Sequence, residues 1–126
     1  MTLRNMFTLN AVLATLFGAA FVLAPAQIMA PYGAPLPAHG LAIAQLLGAA
    51  LVGVGVLTWR ARLLAEADAQ RVIVPGLLVA NGISAAVLLL AQLKGPGNVF
   101  GWLTLALYLL LAAAYGYFQL KRPTSR

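Results

Sequence analysis

A chain of 126 residues that is 63% hydrophobic and only 8% charged has too few polar groups to cover a water-soluble globule, although its length fits one domain. Its formal charge of +6 is not the footprint of a nucleic-acid binder, because the basic residues stand at the ends of apolar runs and form no patch interleaved with aromatics. With no cysteine in the chain, disulfides, thiol catalysis and cysteine-held metal or iron–sulfur sites are excluded together.

Four charge-free stretches, each about twenty residues and so long enough to cross a hydrocarbon core, follow one another. The first covers about residues 6–24, after Arg4. Ala24 and Ala26 have the spacing of a signal-cleavage site, but the apolar run is longer than a usual signal core, so a retained helix is expected. Pro25, Pro31, Pro35 and Pro37 then stop the helix and favour turn or extended backbone in a loop without lysine, arginine or acid.

The second span, about 41–59, carries Gly48, Gly53 and Gly55 inside an otherwise helical pattern. At 100 degrees per residue, Ala44, Gly48 and Gly55 fall within about 40 degrees of one another, and Leu47, Leu51 and Val54 are expected to meet lipid. Lipid gives helices no hydrophobic drive to associate, so contact depends on packing, and small residues let backbones approach. The glycines thus give up helix preference for contact, Trp59 anchors the span at the interface, and Arg60 and Arg62 end it. Beyond it, Arg62 and Glu66 fall one helical turn apart and are expected to pair.

The third span, about 72–93, tolerates Pro75 in its first turn and repeats the small-residue spacing with Gly76, Ala80 and Ser84; the first span offers Ala11, Thr15 and Ala19. After the short turn Lys94-Gly-Pro-Gly-Asn98, the fourth span, about 99–118, places Tyr108, Ala112 and Tyr115 on one face, suited to filling the grooves that small residues leave. These stripes fit packing within one antiparallel bundle or an interface to another chain. Sorted by loop, Arg4, Arg60, Arg62, Arg71, Lys121, Arg122 and Arg126 lie on one side and Lys94 alone on the other. The positive side is cytoplasmic. The expected fold is therefore an all-α, antiparallel four-helix transmembrane bundle with both termini in the cytoplasm of a bacterial inner membrane.

Polar groups within the spans are candidate sites, because they are costly in lipid unless paired. They are Asn10, Gln45, Asn81 and Ser84, with Thr15 and Thr104 able to bond their own helix. Asn81 lies near mid-bilayer, and either it pairs with Gln45 or the two contact a quinone, a lipid headgroup or a small substrate. No titratable group falls well inside a span, which counts against proton-coupled transport, including the small multidrug type with its first-helix glutamate. His39 is the chain's single histidine; it cannot supply paired haem ligands or a zinc site by itself, and is either a solvated loop residue or the ligand of one pigment metal. Glu66 and Asp68, the two acids, have no accompanying nucleophile or metal ligands and fit a salt-bridged turn. No resident cofactor is expected.

The segment "AQLLGAALVGVGVLTW" (residues 44–59) resembles the second helix of small bacterial four-helix membrane proteins of the DoxX-like group, and the four-span layout extends that resemblance over almost the whole chain. Where such helices often carry arginine, this chain has Gln45. The resemblance implies association with membrane complexes or redox systems and carries over no active residue. The expectation is a non-enzymatic accessory, assembly or stabilising subunit, with the lipid bilayer and other membrane subunits or further copies of itself as partners. The alternatives are an oligomeric binder or carrier of a hydrophobic molecule such as a quinone or lipid, using Asn81 and Gln45, and a pigment-protein subunit using His39.

Overall fold

The structure, a computed structural model, describes residues 2–32, 37–94 and 98–121. All regular structure among the described residues is helical: α1 (Leu3–Leu23), α2 (Pro25–Met29), a 3₁₀ turn (Ala30–Tyr32), α3 (Ala38–Ala61), α4 (Glu66–Val72), α5 (Val74–Lys94) and α6 (Val99–Leu120). Helices α1, α3, α5 and α6, of 21, 24, 21 and 22 residues, are long and apolar enough to span a membrane. Only 17% of the apolar window is buried in α3, α5 and α6, and 33% in α1. Leu16, Leu46, Leu57, Ile83, Leu103 and Leu110 are among the large side chains that turn outward. In water each would forfeit about 1.5–3 kcal/mol of available burial, whereas hydrocarbon is a good solvent for them and helices satisfy their own backbone there. These four helices make the chain a multi-pass membrane protein.

The four long helices match the expected spans 6–24, 41–59, 72–93 and 99–118 to within a few residues. Two details differ. Pro25 ends α1, because it has no N–H for a carbonyl of the preceding turn, yet its fixed φ also opens α2, where it is the first helical residue. The polypeptide also leaves helix at Arg62 and re-forms it at Glu66. The continuous helix that would set Arg62 against Glu66 is thus missing, and among the described residues Arg71 pairs with Asp68 at 3.0 Å. Glu66 and Asp68 lie in the first turn of α4 and Arg71 in its last, the arrangement that complements the helix dipole. Pro35, the Gly95–Gly97 part of the short turn, Arg122 and Arg126 lie outside the described residues.

The chain divides into two compact units, Met1–Leu64 and Ala65–Arg126. In the first, α1 begins at the Thr2 cap, whose side chain accepts from the Asn5 N–H at 3.1 Å. It then runs antiparallel to α3: Gly55 lies against Ala11 and Thr15, Gly48 against Gly18, and Gln45 against Val22. In the second, Asn98 caps α6 by accepting from Phe100 N–H at 2.8 Å. Helices α5 and α6 are antiparallel, with Gln92 near the turn beside Gly101 and Leu78 near the other end beside Gly116. Helix α4 closes this unit by presenting Gln70 to the last carbonyls of α6.

Candidate functional site

The closest approach in the first unit is made by backbone. A Cβ on Gly18 would stand 2.7 Å from both the Gly48 carbonyl oxygen and the Val52 nitrogen, and one on Gly48 would stand 2.6 Å from the Gly18 oxygen. A Cβ on Gly55 would collide with the Thr15 hydroxyl. Real Cβ atoms do not tolerate such distances, so glycine is what permits this crossing. Ala44, Gly48 and Gly55 are all buried, as their common face requires, while Leu47 is exposed. Gly18 is the decisive partner on α1. It lies outside the stripe of Ala11, Thr15 and Ala19, but the four-residue spacing Ala14-to-Gly18, with both residues buried, was there to be read.

Beside this seam the two helices diverge around a groove of about 370 Å³ with almost wholly apolar walls. Val12, Thr15 and Leu16 of α1 form one wall and Val56, Trp59 and Arg60 of α3 the other. Its size falls within the range of small-molecule sites. Trp59 and Arg60 place an indole and a guanidinium at one end. The Arg62 guanidinium lies over the Trp59 ring, 4.1 Å from its centroid, a cation–π contact that holds a second positive charge beside the groove. The Arg62 Nε–H is buried and has no acceptor among the described residues.

The polar residues expected to mark a site are each bonded or exposed within their own unit. Asn81 is buried, and its Nδ2 donates to the Leu77 carbonyl of its own helix at 2.7 Å. Gln45 Nε2 donates to the Val22 carbonyl at 3.0 Å, one of the last carbonyls of α1, which lack an intrahelical donor. Each amide thus has a partner within its own unit. His39 is exposed in the first turn of α3. Neither Asn81, Gln45 nor His39 lines the groove. On α5, Gly76 and Ala80 are exposed and Ser84 is half-buried, and a Cβ on Gly76 would meet nothing within 4 Å. The contact with α6 runs instead past Leu78 and Gln92.

Two glutamines do structural work that their positions in the sequence conceal. Gln70 Nε2 reaches the carbonyls of Phe118 at 2.5 Å and Gln119 at 3.0 Å, and also that of Lys121, so it caps the open end of α6. Gln92 Nε2 donates to the Asn98 carbonyl at 2.9 Å, while its carboxamide lies against Gly101. Among the described residues no cluster of three histidine, cysteine, aspartate or glutamate side chains is placed to hold a metal. Comparison of the chain with protein-family models, curated proteins and solved structures finds no match.

Proposed function

We propose that this protein is a non-enzymatic subunit of a bacterial inner-membrane assembly, working by helix contact to stabilise or help assemble a larger membrane complex. The observation that carries this reading is the surface of α5. Gly76 and Ala80 are exposed together with the larger Val79 and Ile83, which gives a strip of small residues bordered by a ridge, the relief that transmembrane helices use to pack. The resemblance of residues 44–59 to the DoxX-like group supports the same reading.

The excess of arginine and lysine at Arg4, Arg60, Arg62, Arg71 and the C-terminal end, against Lys94 alone, supports cytoplasmic placement of both termini. The test is native mass spectrometry of the tagged protein, extracted from its own membrane in a mild detergent. A foreign membrane subunit in fixed stoichiometry, lost on Ala80→Leu substitution, is the expected result. A homo-oligomer that carries a defined quinone, lipid or pigment mass would refute the subunit reading and favour a carrier.

A further inference from the structure

The groove between α1 and α3 has a chemistry that the packing of the hairpin does not account for. Its walls are apolar and open, and its end is cationic. Residues 1–64 contain no aspartate or glutamate, so Arg4, Arg60 and Arg62 have no carboxylate within their own unit. Of the two acids in the other unit, Asp68 is engaged by Arg71 at 3.0 Å. Arg4 lies within about 20 degrees of Ala11 and Thr15 around α1 and is exposed, so it extends the cationic end below the groove. Arg60 forms part of the groove wall, and Arg62 is stacked on Trp59 with its Nε–H lacking an acceptor among the described residues.

From this charge complementarity we infer that the groove is a site for one anionic phospholipid, with an acyl chain along Val12, Leu16 and Val56 and its phosphate at Arg60, supported by Arg62 and Arg4. Guanidinium binds phosphate oxygens through paired N–H donors, and basic pockets between membrane helices at the cytoplasmic face select acidic headgroups. Trp59 sits where chain meets headgroup, the depth an indole prefers. The inference rests on the membrane reading of the four helices and is independent of whether the protein serves as a subunit.

Trp59 also supplies the probe. The full-length protein carrying Trp102→Phe, so that Trp59 is the remaining tryptophan, is reconstituted in phosphatidylcholine vesicles. These contain a small fraction of lipid with brominated acyl chains and either a phosphatidylglycerol or a phosphatidylcholine headgroup. Brominated phosphatidylglycerol is expected to reach half-quenching of Trp59 at about fivefold lower mole fraction than its zwitterionic counterpart. Arg60→Gln should remove most of that preference, Arg60→Lys should keep a reduced part of it, and Arg71→Gln should leave it unchanged.

Equal quenching by the two lipids would overturn the inference, as would an equal loss in Arg71→Gln, which would show general attraction by net charge. Suppression of the preference by millimolar inorganic phosphate would identify a free-anion site instead. No quenching by either lipid would mean that protein covers the groove, and it would overturn the inference while leaving the membrane reading intact. Failure of the protein to float with the vesicles would overturn both.

Discussion

The two hairpins meet the same demand, to hold apolar helices together where apolar burial gives no drive, by different means. In α1 and α3 the backbones themselves touch: Gly18 and Gly48 face each other with no room for a Cβ on either. In α5 and α6 the glycines that are in contact meet side chains instead of backbone. Gly101 accommodates the Gln92 carboxamide, Gly116 is in ordinary contact with Leu78 at 3.8 Å, and the bulky Tyr115 and Phe118 of α6 are buried. The second unit is tied at its ends by glutamine amides bonded to carbonyls of α6 and of the preceding turn. A small residue every fourth position is therefore an offer of contact, and whether a partner takes it depends on what faces it. Gly48 meets another glycine; Gly76 meets nothing within 4 Å.

That contrast can be broken most forcefully at the glycine seam. Gly48→Ala puts a methyl 2.8 Å from Phe21 Cβ and 2.9 Å from the Val22 nitrogen as well as against Gly18, and overpacking of this kind costs about 1–3 kcal/mol. Reversible unfolding in mixed micelles should register that loss, and Gly18→Ala should match it. Gln70→Leu comes next. It strips the donor from the end of α6 and should lower stability by about 1 kcal/mol, read as faster hydrogen exchange near Phe118 with α1 and α3 unaffected. Thr58→Val removes a hydroxyl that bonds the Val54 and Gly55 carbonyls of its own helix at 2.9 and 3.1 Å, and should cost about 0.6 kcal/mol or less.

The smallest effect has the opposite sign. A Cβ on Gly53 meets nothing within 4 Å, so Gly53→Ala should gain roughly 0.5 kcal/mol from helix preference. Gly76→Ala should behave like Gly53→Ala in the isolated protein. If it destabilises as Gly48→Ala does, the α5 face is occupied and the contrast between the hairpins narrows.

How much of this the sequence disclosed depends on the range of the interaction concerned. The four long helices were legible because an apolar run bounded by charge is a local property, and Ala44, Gly48 and Gly55 could be assigned a common face from angle alone. Gly18 was passed over because a stripe drawn through Ala11, Thr15 and Ala19 meets α3 at its first two members, which lie against Gly55, and then runs to one side of Gly18. Helices α2 and α4 went unread because short helices depend on end effects: Pro25 in the first turn of one, Glu66 and Asp68 in the first turn of the other.

Gln70 gave no signal at all. Its partners are 48 to 51 residues away, and nothing local distinguishes it from a solvated glutamine. The groove was equally hidden, because Val12, Leu16 and Val56 are ordinary lipid-facing residues until the crossing at Gly18 sets their separation.

The absence of cysteine from the chain makes the proposed topology, four crossings with both termini inside, directly testable by single-cysteine labelling with no background to remove. His39→Cys, Lys94→Cys, Leu64→Cys and Leu120→Cys all replace exposed residues near the ends of the long helices. With a membrane-impermeant maleimide on intact cells, labelling is expected at 39 and 94, and at 64 and 120 only after the membrane is permeabilised. Labelling at 64 or 120 in intact cells, or the same response at all four positions, would contradict that topology.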